Sequence, residues 1–323
     1  LPRLNPWLLR CLLLPFPLCY YSGWLGAVAA WLAGGKVVLI DRFHPPEIWS
    51  VIERERASQI AASPTMYRLL LGAPEHERYD LSAVRRVLLS TEPCPPDLAR
   101  ALHERFRCPL ENTYGMNETG NITWTGLSDS WEVVAETVGR PVPGARVRIV
   151  DDERQPLPAG EQGEIAVQTA QMMRGYYRDP ELTAQVLDSA GWFYTGDVGC
   201  IGRDGRLRLV GRKKDLIIRG GQNVYPAEVE NYLQRHPAVR RAAVVGVPDA
   251  LSGEAVWAYL ELQPGATLTA QEALDFCRRG IAPFKIPQQV RFMARLPVTP
   301  NDKVQRFRLR EMAAAERAGG PRT

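Results

Sequence analysis

The sequence predicts an α/β protein: a mostly parallel sheet with flanking helices, then a small antiparallel β-barrel-like subdomain, then an α+β C-terminal module. Three observations carry this. In the first third, short apolar runs alternate with helical patterns of 10–15 residues, the signature of right-handed crossovers. After Trp131 the texture changes to short strands separated by Gly, Pro and Asp clusters. The last hundred residues mix helical and strand patterns in a compact α+β arrangement.

In order, Lys36–Ile40, Gln59–Ala62, Val84–Leu89 and Leu110–Thr113 read as strands, and Pro46–Arg56, Pro64–Leu71 and Pro96–Phe106 as the intervening helices. The strands are nearly continuous apolar runs, as a sheet covered on both faces requires. In the middle, Ala145–Val150, Glu164–Thr169, Trp192–Thr195 and Leu207–Val210 are short strands. The stretch Pro156–Gly163 between the first two has the Pro and Gly content of a hairpin region. Pro226 opens a helix over Ala227–Gln234, where proline is best tolerated. Strands follow at Ala242–Val247, Ala255–Leu262 and Val290–Ala294, with a helix at Ala270–Arg279. This gives units at 1–130, 131–213 and 214–310, and a polar tail, 311–323, expected to be frayed.

Hydrophobic residues make up 45% and charged residues 24% of the 323, which excludes a disordered or fibrous chain. Six scattered cysteines without a CxxC argue against a disulfide framework or zinc site and fit a reducing, cytoplasmic compartment. Four histidines form no metal-binding spacing. The net charge is +4. The arginine-rich stretches 203–219 and 235–241 are interrupted by acids and lack a reader motif, so no nucleic-acid partner is expected. Cys11–Gly35 carries no charged residue and is long enough to span a bilayer. Pro15, Pro17 and four glycines interrupt it, so a buried turn and a core helix near Trp24–Leu32 are expected instead of stable membrane insertion.

Several motifs carry chemistry. Asn112-Thr113-Tyr114-Gly115-Met116-Asn117-Glu118-Thr119 follows a strand, where open α/β sheets bind ligands. An aromatic ring there can stack on a base, and Glu118 can hold Mg²⁺ beside a polyphosphate; a plain loop uses the same residues. Gly191-Trp192-Phe193-Tyr194-Thr195-Gly196-Asp197 offers a carboxylate that can accept both ribose hydroxyls, or an ordinary turn Asp. Gly211-Arg212-Lys213-Lys214-Asp215 follows. Only five lysines occur, and Lys303 lies in the Pro-fixed stretch Leu296–Val304, as a delivered cation or a solvated surface residue.

The order and spacing of these motifs, with Pro158-x-Gly-Glu-x-Gly-Glu-Ile165 among them, resemble the adenylate-forming superfamily of acyl-CoA synthetases, carrier-protein adenylation domains and luciferases. The resemblance runs to about Arg310 and is strongest from Asn112 to Pro226. It implies an AMP-forming acid–CoA ligase that uses ATP, Mg²⁺ and coenzyme A and takes a small-molecule carboxylic acid. Glu92, Pro93, Asn112 and Tyr114, with Gly115 and Asn117, are implied to bind nucleotide, and Glu118 to bind Mg²⁺. Asp197 and Arg212 are implied to hold the ribose, Lys214 to be the hinge of a mobile C-terminal domain, and Lys303 to be the catalytic lysine. Gly220 and Gly221 fall in the loop that lines the CoA tunnel in family ligases, and Tyr20 and Met116 near the acyl pocket. An acid–carrier-protein ligase or an inactive remnant remain the alternatives. A homodimer is common in the family.

Three departures stand out: Asn117 replaces the usual Thr, Asp302 the Gly before the lysine, and Cys19-Tyr20 a Phe-His pair. The family's phosphate loop is not found in the sequence. The chain as given is therefore expected to lack an N-terminal subdomain, to expose apolar patches such as Leu12–Leu18, and to adenylate slowly.

Overall fold

The computed structural model describes residues 10–73, 76–299 and 304–318. Contacts divide the chain into two compact units: one built from residues up to Thr195 with Gly199–Leu209, the other from Gly196–Val198 and the described residues from Val210 onward.

The first unit begins with β1 (Cys11–Leu14), α1 (Tyr21–Leu32), β2 (Lys36–Leu39), α2 (Pro45–Arg54), β3 (Gln59–Ala62), α3 (Pro64–Leu71), β4 (Arg86–Leu89), α4 (Pro96–Phe106) and β5 (Leu110–Met116). These five strands pair in parallel in the order β2-β1-β3-β4-β5. Beyond β5 the sheet turns antiparallel through β6 (Gly120–Trp124), then α5 (Trp131–Glu136) leads to β7 (Arg140–Pro141). Proline opens α2, α3 and α4, where its missing N–H leaves nothing unsatisfied, and the Ser63 hydroxyl caps α3 by accepting from Met66 N at 3.2 Å.

Side chains alternate across β1. Leu13 joins the larger core with Ile48, Trp49, Tyr67 and Phe106 beneath α2–α4. Leu12 and Leu14 point to the other face, under Ala27 and Ala30 of α1. Helices thus cover both faces, as the apolar strands predict. The expected apolar exposure at Leu12–Leu18 is corrected in part: Leu12, Leu13 and Leu14 are 1%, 0% and 1% exposed, because β1 is an interior strand. Exposure falls instead on Leu18 and on α1, which is apolar all round but packs only one face, leaving Trp24, Trp31 and Leu32 open to solvent. At 12 residues, α1 is short for a span. Among the described residues no helix is long and apolar enough to cross a membrane.

Next come β8 (Ala145–Val150), β9 (Gly163–Thr169), α6 (Pro180–Val186), β10 (Phe193–Ile201) and β11 (Leu207–Arg212), forming a four-stranded sheet ordered β11-β10-β9-β8. Two sequence expectations change here. The strand expected to end at Thr113 continues through Tyr114-Gly115-Met116 as half of the β5–β6 hairpin. The strand expected over Trp192–Thr195 runs on through Gly196 and Asp197 to Ile201. Asp197 is therefore a strand residue, not a turn residue.

The second unit contains a 3-10 turn at Lys213–Asp215, then β12 (Ile217–Arg219), β13 (Gln222–Val224), α7 (Pro226–Leu233), β14 (Val239–Asp249), β15 (Gly253–Leu262), α8 (Ala270–Arg278), β16 (Gln289–Phe292) and α9 (Arg306–Ala318). The sheet runs β13-β12-β15-β14, with β16 parallel to β15. Thr269 and Glu272 form a reciprocal capping box at α8. One sheet face packs on Val229, Leu233, Ala273 and Cys277 of α7 and α8. The other packs on Leu309 and Ala313, spaced four apart on α9. Of the tail expected to fray, residues 311–318 are helical instead: α9 is anchored on the sheet by Leu309 and Ala313 and runs to Ala318, and 319–323 lie outside the described residues.

Candidate active site

In the first unit, the residues singled out by sequence lie at or beyond the carboxyl ends of parallel strands, the ligand-binding edge of an open α/β sheet. The loop after β4 holds Glu92 and Pro93. Glu92 Oε2 accepts from Thr65 Oγ1 at 2.8 Å and from Thr65 N at 3.3 Å, tying this loop to the start of α3. Its neighbour Thr91 has φ of +75°, a region a β-branched residue enters only under constraint. No sequence signal marks Thr91.

The β5 residues have structural partners as well. Tyr114 is 8% exposed and packs with Ile122, Val138, Ile165 and Val167, so most of its ring is core. Asn112 is buried, and its amide nitrogen donates to Val134 O at 3.3 Å and Thr137 O at 3.4 Å. That amide fastens the end of α5. Gly115 permits the β5–β6 approach: a Cβ there would lie 2.3 Å from Gly120 O. Met116 ends β5, half-buried.

Beyond β5, Asn117 Oδ1 accepts from Tyr21 N at 2.9 Å. The amide that replaces the usual Thr thus satisfies one of the orphan N–H groups opening α1, beside Tyr20, whose ring is partly exposed at the N-cap. Glu118 Oε1 accepts from the Tyr176 hydroxyl at 3.2 Å, and Glu118 O accepts from Met173 N at 2.7 Å. Burial, with the Glu118 charge beside it, raises the Tyr176 pKa, so the phenol stays a donor. The other Glu118 carboxylate oxygen has no protein partner among the described residues. One positioned oxygen and one open oxygen fit a magnesium ion that also binds substrate phosphates. Among the described residues there is no group of three or more acidic, His or Cys side chains able to cage a metal alone.

In the second unit, Asp197 is 8% exposed and Arg212 Nε lies 3.1 Å from its Oδ1, while the Arg212 side chain is half exposed. A buried carboxylate oriented by an Arg that still reaches solvent can accept from a diol. Lys214 is exposed in the 3-10 turn. Its neighbour Asp215 is buried and accepts from Arg310 at 2.8 Å, with Arg306 Nη1 at 3.9 Å. Arg306 also grips Glu230 of α7 through both carboxylate oxygens, at 2.7–3.2 Å. Burial opposes the Arg306 charge, but Glu230 and Asp215 outweigh it and hold its pKa above the ordinary value. Gly220 and Gly221, φ +56° and +76°, form the two-residue turn joining β12 and β13, a conformation that favours glycine at both positions. Lys303 lies outside the described residues.

Sequence reasoning missed Thr65, Tyr176, Glu230 and Arg306. Tyr176 and Arg306 each sit far along the chain from the carboxylate they hold, so spacing alone could not pair them.

The mixed α/β fold, with its parallel-rich sheet followed by antiparallel sheets, is that of the adenylate-forming superfamily. The chain belongs to the AMP-binding enzyme family, whose model matches residues 8–177, with the AMP-binding enzyme C-terminal domain matching 228–303. It is 38% identical over 291 residues to a Rhodococcus jostii 3-[(3aS,4S,7aS)-7a-methyl-1,5-dioxo-octahydro-1H-inden-4-yl]propanoyl:CoA ligase, covering 88% of this chain and 54% of that protein. It is 35% identical over 305 residues to the mitochondrial medium-chain acyl-CoA ligase ACSF2 of Macaca fascicularis, covering 93% and 49%. Among solved structures, the amide bond synthetase McbA from Marinactinospora thermotolerans superposes with a TM-score of 0.85 at 40% identity, over 95% of this chain and 62% of that one. The chain thus spans about half the length of the curated relatives it matches.

Proposed function

We propose that the chain belongs to an AMP-forming acid–CoA ligase that uses ATP and coenzyme A. The observation that carries this reading is the Asp197–Arg212 pair: a nearly buried carboxylate held at 3.1 Å by a half-exposed arginine, within the Gly-Asp and Gly-Arg motifs. In step one an oxygen of the acid attacks the α-phosphorus; that O–P bond forms, the bond to pyrophosphate breaks, and acyl-adenylate results. In step two the thiol sulfur attacks the acyl carbon; a C–S bond forms, AMP leaves with the C–O electrons, and the thiol proton goes to solvent.

In this reading Asp197 accepts from the ribose and Arg212 keeps it oriented. Glu118, steadied by Tyr176, offers its second oxygen to Mg²⁺, which when bound neutralises phosphate charge. Lys303 neutralises charge growing between two anionic reactants. Lys214 is the pivot of a mobile C-terminal domain, and the Gly220-Gly221 turn, bare of side chains, leaves room for the CoA arm.

The relatives support acid activation and differ in the acceptor: two are named CoA ligases and one an amide bond synthetase. An amine acceptor is therefore the second reading. The test uses the full-length protein and its Lys303→Ala variant. We expect acid-dependent ATP–pyrophosphate exchange to fall about 10²–10³-fold, with thioester formation from supplied acyl-adenylate and CoA retained. Equal loss of both steps overturns the Lys303 role, and product with amines but not CoA favours the second reading.

A further inference from the structure

Residues 90–95 join β4 to α4 at the carboxyl edge of the parallel sheet and belong to no strand or helix. Leu89, the last residue of β4, pairs with Asn112 of β5, the strand that carries Tyr114. The loop is strained at Thr91, which is exposed and holds φ at +75°. A β-branched residue stays there only when its surroundings hold it.

Glu92, the next residue, supplies the hold. β3 and β4 are parallel neighbours, in register from Gln59↔Arg86 to Ala62↔Leu89, so the start of α3 and this loop leave the sheet side by side. The Glu92 carboxylate turns toward α3, where Oε2 accepts from the Thr65 hydroxyl at 2.8 Å and from Thr65 N at 3.3 Å. The first turn of α3 explains the fit. Pro64 has no N–H and Met66 N donates to Ser63 Oγ, so Thr65 N is the orphan donor that Glu92 takes. A hydroxyl donating to a carboxylate is a charge-assisted bond, strong enough to oppose strain one residue away.

We propose that Thr65 is a positioning residue for the nucleotide: acting through Glu92, it holds the strained loop 90–95 in the shape that binds ATP. This inference rests on the ATP-using function proposed above. Without the Thr65 hydroxyl the loop relaxes at Thr91, fewer molecules keep the competent shape, and the apparent affinity falls by that fraction.

The test titrates MgATP alone into the full-length protein and its variants by calorimetry. Thr65→Val has the same shape without the hydroxyl and should weaken binding about tenfold, while Thr65→Ser, which keeps the hydroxyl, should stay within about twofold of wild type. Glu92→Gln should also weaken binding, and adding it to Thr65→Val should change affinity by less than about twofold, because the two residues act through one bond. Adding Thr91→Gly to Thr65→Val should recover most of the loss, since glycine adopts this φ without strain; a merely structural defect at α3 would not respond to the loop. Unchanged affinity in Thr65→Val, or no recovery with Thr91→Gly, overturns the inference. Affinity lost in Glu92→Gln but kept in Thr65→Val gives the carboxylate to the nucleotide itself and overturns it too. A wild-type protein that binds no MgATP overturns the underlying function, and the inference with it.

Discussion

Replacing Arg306 with Ala removes the cation that holds Glu230. The Glu230 side chain is 9% exposed and accepts from Arg306 at 2.7–3.2 Å and from Val244 N at 2.8 Å. Without Arg306 the carboxylate keeps one backbone donor and a charge still shielded from water. Breaking a buried pair by removing one partner costs about 3–5 kcal/mol. Arg306 is itself 29% exposed, so water screens part of the interaction and the lower end, about 3 kcal/mol, applies. That corresponds to roughly 150-fold in an opening equilibrium. Native-state hydrogen exchange on peptides spanning β14 reads it directly, since Val244 N–H bonds to the same carboxylate. The amides of Val239–Val247 should lose about 150-fold in protection, and Arg306→Ala with Glu230→Gln should recover most of it, because a neutral amide needs no counter-charge. Less than about fivefold loss, or no recovery in the double variant, would refute the reasoning.

Two further predictions concern other carboxylates. Tyr176→Phe removes the hydroxyl that steadies Glu118; the Mg²⁺ concentration needed for half-maximal adenylation should rise about tenfold, with the rate recovered at saturating Mg²⁺, and an unchanged Mg²⁺ titration would exclude the positioning role. Asp249 accepts from Arg317, Ser252 and Leu251, which hold its pKa well below the usual carboxylate range. With a depressed folded-state pKa, its contribution is complete above the unfolded value near ~3.9 and is lost as pH falls through the folded value. The melting temperatures of wild type and Asp249→Asn should therefore differ at pH 7 and converge in strong acid; a gap that persists there contradicts this.

The parallel strands were legible because β3 and β4 are apolar runs between proline-opened helices, and burial on both faces leaves no other pattern. The β5–β6 hairpin was hidden because Gly115, Asn117 and Gly120 look like loop residues; only the 2.3 Å approach at Gly115 explains the glycine. The continuation of β10 through Gly196-Asp197 was obscured in the same way. At the site, motif order pointed to Glu118, Asp197 and Arg212, but not to what each touches. Asn112 and Asn117 show the limit. Asn112 serves carbonyls 22 and 25 residues away, and Asn117 serves an N–H 96 residues away. Such partners follow from the sheet order, which local spacing does not encode.

The central claim, that this fold activates acids by adenylation, is tested most directly by the nucleotide product. The full-length protein is incubated with MgATP, CoA and a panel of carboxylic acids, and products are identified by mass spectrometry. The account predicts AMP, pyrophosphate and acyl-CoA in equal amounts, dependent on the acid, with AMP formation sharply reduced by Asp197→Asn. Acid-dependent release of ADP and phosphate, or AMP formation indifferent to Asp197→Asn, would contradict it.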